Sequence, residues 1–237
     1  MHSLQRLEQL ARRARTLALS NQPERPDGPA REWYRLAVDP AGEEATVLVY
    51  GDIGGWWGVD VDRLVGEIHA LDVARIAVHV NSQGGNMFDG FSLYAALLQH
   101  RAHVTTWVDG IAASAASVVL MAGDLRKAEK PSRVMVHEAS VYPGSQNKRG
   151  LREQADLLEE FDADIAQIYA DRAGGDAATF LAAMEAETWY SSAAALQAGL
   201  VHEVVDHSTP APESRTSQLV RARHRARHMT LGGVSTK

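Results

Sequence analysis

Gly110-Ile111-Ala112-Ala113-Ser114-Ala115-Ala116-Ser117 sets a serine among residues too small to shield it, and Arg133-Val134-Met135-Val136-His137 ends an apolar run on a histidine. A serine with such neighbours fits a crowded turn into a helix, where unpaired N–H groups favour developing negative charge. A histidine closing a short strand projects from a rigid edge, the place where parallel sheets carry their sites. Upstream, Asn81-Ser82-Gln83-Gly84-Gly85 offers a glycine pair at which a backbone N–H can approach a ligand closely. Nucleophile, base and backbone donor are the parts of acyl transfer. The pattern points to Ser114 as nucleophile and His137 as base, with an oxyanion hole from the N–H groups of Gly85 and Ala115. Substrate would lie extended along the Gly84-Gly85 edge.

A catalytic triad also wants an acid to orient the imidazole. Glu187, just before Trp189 and Tyr190, is the leading candidate over Glu185, Glu138 and Asp124. Ser117, one turn beyond Ser114, reads as a packing serine. His79 lies within a strand and reads as surface or core, and Trp56, Trp57 and Trp107 read as core or interface. The remaining histidines lack ligand-like spacing with acids, so no metal is expected. No Walker-type glycine-lysine loop occurs and no cofactor is expected.

The elements that must position these groups alternate. Val47–Tyr50, Ile76–Val80, Val104–Val108, Ser132–His137 and Val201–Val205 read as strands, with Asp109-Gly110 stopping the third. Between them, residues 61–71, 87–100 and 112–122 read as helices, the last apolar all round and therefore buried. Leu151, Leu158, Phe161, Ile165 and Ile168 form one stripe of a long helix over 151–173 that projects or packs on a partner. The alternation predicts an α/β fold with a largely parallel sheet.

The chain has 237 residues, 45% hydrophobic and 23% charged, enough for one well-buried domain. It has no cysteine, which excludes disulfides and thiolate catalysis and fits a cytoplasmic location. Arginines interrupt the leucines of the N-terminus, and no long apolar run occurs, so neither a signal peptide nor a membrane span is expected. The net charge of −6 combines basic ends with an acidic body, which argues against nucleic-acid binding. Residues 1–30 read as a helical arm and linker, 31–206 as the catalytic domain, and 207–237 as a basic tail.

Taken together, Asn81–Gly85, Gly110–Ser114, Arg133–His137 and Ala198-Gly199-Leu200-Val201 resemble, in order and separation, the Clp protease proteolytic subunit family over roughly residues 45–206. Tyr50–Val59, Phe88-Asp89-Gly90 and Glu187-Thr188-Trp189 are similar to its head maturation (prohead) protease subgroup. The resemblance implies a crotonase-like α/β spiral with a protruding handle helix, a homo-oligomeric ring and a protein or peptide substrate. It implies a Ser114-His137-Glu187 triad. In the head maturation role the partners would be capsid or scaffold proteins; in a housekeeping role, a separate AAA+ ATPase. The sequence departs from the family in four places: Gln83 replaces a proline, Ala115 a methionine and Glu187 an aspartate, and Glu138-Ala139 replaces a polar-Pro pair. The rival readings are a crotonase-like acyl-CoA hydratase or isomerase and a catalytically silent ring subunit.

Overall fold

The computed structural model describes residues 34–54, 58–141 and 144–208. The 1–30 arm, Trp56, Trp57 and nearly all of the 207–237 tail lie outside them. The chain divides into two units at Val205 and Asp206, and the first carries the fold. Its strands are β1 (Tyr34–Val38), β2 (Glu44–Tyr50), β3 (Arg75–Ser82), β4 (His103–Ala113), β5 (Leu125–Glu129), β6 (Arg133–Val136), β7 (Thr188–Ser191) and β8 (Glu203–Val205). The helices are α1 (Val61–His69), α2 (Met87–Gln99), α3 (Ala115–Leu120), α4 (Lys148–Ala173), α5 (Ala177–Glu185) and α6 (Ser192–Gln197).

One eight-stranded sheet runs in the order β1-β2-β3-β4-β5-β8, with β6 pairing β4 and then β7. β1 is antiparallel to β2 and β7 to β6; the other pairs are parallel. Alternation of side chains puts Ala45, Val47 and Val49 of β2, Ile76, Val78 and Val80 of β3, and Val104 and Val108 of β4 into the core. The other face of β3 and β4 carries His79, whose Nδ1 is 3.0 Å from Asp109 Oδ1 and whose ring stacks on Trp107 at 5.6 Å. Tyr50 hydroxyl donates to Asp109 Oδ2 at 2.5 Å, and that bond helps push the phenol up to about 12.

The most consequential departure from the sequence reading is in β4. Asp109-Gly110 does not stop it: the strand continues to Ala113 by changing partner. Thr105–Val108 pair with Leu125–Ala128 of β5, whereas Ile111–Ala113 pair with Arg133–Met135 of β6. The residues read as the start of a buried helix are therefore strand, and α3 begins only at Ala115. A small-residue run satisfies either geometry, and the distant β6 decides it.

Helix α4 begins at Asn147, whose side-chain oxygen accepts from the N–H groups of Arg149 (3.0 Å) and Gly150 (3.1 Å). Its 26 residues span about 39 Å at 1.5 Å each. Its second half is the better packed: Phe161, Ile165, Ile168 and Tyr169 are core, Leu157 packs against that core from the first half, and Leu151 near the start is 46% exposed. The exposed first turns have the form of a handle.

The end of α4 is fixed by a buried arginine the sequence reading did not single out. Arg126 is 2% exposed. Its guanidinium donates to the carbonyls of Arg172 (2.7 Å), Leu200 (3.0 Å), Gly199 (3.1 Å) and Gly123 (3.2 Å). Burial pushes it down to about 10, with the Arg172 charge adding to the effect, so it stays charged at neutral pH. Replacing it strands the carbonyls of Arg172, Gly199 and Leu200, while that of Gly123 keeps a bond from Arg172. Arg126→Met is expected to lower the free energy of unfolding by about 2–4 kcal/mol, read from urea titration.

Candidate active site

Ser114 sits at the junction where β4 ends and α3 begins. Its backbone is held at φ 55 and ψ −129. Among the described residues only Ser114 and Glu187 are non-glycine residues with positive φ. Such conformations cost of order 1–3 kcal/mol and persist where the surroundings over-determine them. Here Ser114 N–H donates to Met135 carbonyl at 3.0 Å, the last link of the β4–β6 pairing before the chain turns. That bond places Ser114 beside the end of β6, and His137 follows two residues after Met135, just past the strand.

The sequence pair meets. Ser114 Oγ is 2.7 Å from His137 Nε2, and neither residue is fully buried. With Oγ–H as donor, Nε2 is the acceptor and the imidazole proton resides on Nδ1. This is the contact a general base needs to take the hydroxyl proton.

Gly84 lies against Ser114, and Gly85 against Ile53. Gly84 has φ +102, and a Cβ there would stand 2.6 Å from Ser114 Cβ and 2.7 Å from Ala113 carbonyl oxygen. Gly85 has φ +140, and a Cβ there would stand 2.3 Å from Ile53 carbonyl oxygen. Nothing but glycine fits at either place. The loop is shaped by Ser82, buried, whose Oγ accepts from Gly84 N–H at 3.1 Å, and by Ile53 N–H, which donates to Gly84 carbonyl at 2.7 Å. Gly85 N–H donates no hydrogen bond among the described residues. Ala115, first residue of α3, has no intrahelical acceptor for its own N–H.

Helix α4 braces this corner at two points. Ser117 is more than packing: its Oγ is 2.6 Å from Ser114 carbonyl oxygen, to which it donates, and 2.7 Å from Tyr169 hydroxyl. Seven residues earlier on the helix, Asp162 Oδ1 accepts from Ala139 N–H at 2.6 Å, just beyond His137. Asp162 is 6% exposed. Its carboxyl is raised above the ordinary aspartate value: burial pushes it up most, Glu138 and Glu159 add to this, and the Ala139 bond and nearby His137 pull it part of the way back. The sequence signal for this residue was a carboxylate next to Phe161 and three before Ile165, within an apolar stripe.

Glu187 is brought near but not into contact. The β6–β7 ladder ends at Val136 opposite Thr188, so the next position in register sets Glu187 opposite His137. Its φ of 47 closes α5, with its N–H donating to Met184 carbonyl at 3.0 Å. Its side chain is exposed, with Oε1 3.4 Å from Trp189 Nε1, and no hydrogen bond joins it to His137. Glu138 is exposed, Glu185 is exposed, and Asp124 accepts from Val104 N–H at 2.9 Å at the far end of β4. Among the described residues no group of three or more His, Asp and Glu side chains is arranged to hold a metal.

A serine and a histidine in contact at the carboxyl end of a parallel strand are the pair that acyl-transfer chemistry in an α/β fold requires. Residues 61–208 match the family model described as Clp protease. The chain is 27% identical over 182 residues to an ATP-dependent Clp protease proteolytic subunit of Pleurastrum terricola, covering 74% of this chain and 90% of that one. It is 32% identical over 137 residues to the proteolytic subunit of Deinococcus radiodurans, covering 56% and 66% respectively. A solved structure of a mutant ClpP1 from Listeria monocytogenes is similar at a TM-score of 0.56 and 22% identity, covering 68% of this chain and 91% of that one. The chain belongs to the Clp protease family, a family of peptidases, and has the ClpP-like fold.

Gly84→Ala tests the close approach of the loop to the nucleophile. The methyl group must displace either Ser114 or the Gly84-Gly85 segment, and misplacement by about 1 Å costs on the order of 100-fold in rate. Peptidase activity is expected to fall by at least that factor in protein that circular dichroism shows to be folded.

Proposed function

We propose that this chain is a serine endopeptidase that works as a head maturation protease on scaffold or capsid precursor proteins. The observation that carries the chemistry is the 2.7 Å contact between Ser114 Oγ and His137 Nε2 at a turn of positive φ. In this reading an extended peptide lies along Gly84 and Gly85, adding its backbone to that edge. Ser114 Oγ attacks the scissile carbonyl carbon as His137 Nε2 takes the hydroxyl proton. The oxyanion is held by Gly85 and Ala115 N–H, each donor of this kind being worth about 2.7–4 kcal/mol of barrier.

The imidazolium then protonates the leaving amine, the C–N bond breaks, and an acyl-enzyme remains. Water, deprotonated by the same Nε2, attacks the ester, and Ser114 leaves as the hydroxyl. Glu187 is the orienting acid of this reading, acting from its register position opposite His137. The order Ser, His, acid along the chain is immaterial, because triads are defined by geometry.

Support for the head maturation role comes from Tyr50–Val59 and Glu187-Thr188-Trp189, which are similar to that subgroup. The reading includes a cytoplasmic, homo-oligomeric ring; the exposed Val141 and Leu151, before and at the start of α4, suit a contact between copies. A second reading, a housekeeping proteolytic subunit fed by an AAA+ ATPase, is favoured by the names of the curated relatives, which are ATP-dependent.

Labelling with a fluorophosphonate and mass mapping tests the chemistry. The adduct is expected on Ser114, absent from Ser114→Ala, and formed at least 100-fold more slowly in His137→Ala. A folded, oligomeric wild type that takes no label contradicts the reading and favours a silent ring subunit. Cleavage of folded precursor without nucleotide supports the head maturation role; dependence on an added ATPase supports the housekeeping one.

A further inference from the structure

Asp162 is a buried carboxylate that the triad reading leaves without a task. Moving a carboxylate out of water is costly unless opposite charge or hydrogen bonds compensate. Its hydrogen bond among the described residues is to one backbone N–H, that of Ala139. The charged groups acting on it most strongly are Glu138 and Glu159, both of its own sign, and His137, of the opposite sign. No lysine or arginine is among them. The compensating charge for this carboxylate is therefore one that appears only when His137 is protonated, the state it reaches midway through acyl transfer.

We propose that Asp162 is a positioning residue for His137: it fixes the His137-Glu138-Ala139 segment onto α4 and, when ionised, sets a negative charge near the imidazole. It touches no substrate. One oxygen holds the chain two residues past the base, which fixes where the ring emerges from β6. The charge favours the imidazolium over the neutral ring and so lowers the barrier to transfer from Ser114. Glu187, exposed and hydrogen-bonded to Trp189, supplies neither the clamp nor a desolvated charge in this structure. This inference rests on the Ser114-His137 reading above.

The two roles separate by substitution. Asp162→Asn keeps an oxygen for Ala139 N–H and removes the charge; Asp162→Ala removes both. Steady-state peptide hydrolysis across pH, with thermal unfolding as a fold check, compares them with wild type and with Glu187→Gln. Asp162→Asn is expected to lower kcat about tenfold or more with KM within about twofold, because the lost charge acts on the transition state and not on bound substrate. Asp162→Ala should lose further activity.

An Asp162→Asn enzyme with kcat within about twofold of wild type overturns the inference. So does a Glu187→Gln enzyme that alone shows the loss of kcat at unchanged KM. Phosphonylation of Ser114 in wild type is scored in parallel. If wild type leaves Ser114 unmodified, the serine-peptidase reading falls and takes this inference with it. If wild type is modified and Asp162→Asn is indifferent, only the inference falls.

Discussion

The change of partner within β4 is the constraint on which the site depends. Up to Val108 the strand is tied to β5; from Ile111 it is tied to β6. Had it kept one partner, Ser114 and His137 would end different parts of the sheet. The switch makes the last residues of β4 and β6 neighbours, and the Ser114 N–H to Met135 carbonyl bond is its final link. From there the chain must turn abruptly into α3, and Ser114 takes the strain of that turn as a positive φ. Strain at the nucleophile is thus a consequence of topology, and the close glycine at position 84 is a consequence of the turn.

Helix α4 turns this arrangement into a rigid one. Tyr169 reaches the Ser114 turn through Ser117, while Asp162 reaches the His137 segment through Ala139. Both braces leave the same helix, so Ser114 and His137 are referenced to one body. That body is itself anchored at its far end, where Arg126 and Arg172 donate to carbonyls around Gly123. A buried hydroxyl or guanidinium is expensive to leave unpaired, so these contacts hold their geometry firmly. The first turns of α4, around the exposed Leu151, lie outside these braces.

Much of this was legible in the residues. Taken singly, Ser114 reads as well as a packing serine and His137 as a structural strand-end histidine. They stood out because four spaced motifs resemble one family in order and separation, and the alternation of elements gave the α/β class. What stayed hidden depends on distant partners. Gly110 looked like a stop because nothing local reveals that β6 will pair beyond it. Leu125–Glu129 reads as a charged segment, and only the folded cluster of carbonyls explains a buried Arg126. β7 and the placing of Glu187 opposite His137 depend on an antiparallel return after α5. Asp162 was visible in principle, a carboxylate on the apolar face of a helix. Periodicity alone takes such a residue for an imperfection in the stripe.

The central claim is that topology places His137 to activate Ser114. The most direct measurement is the rate of Ser114 phosphonylation as a function of pH, in wild type and in His137→Ala. The account predicts that the wild-type rate rises through a single ionisation to a plateau, and that the plateau disappears in His137→Ala, leaving a slow rate that climbs with hydroxide. A wild-type rate that climbs with hydroxide without a plateau, or a plateau that survives the loss of His137, would contradict it.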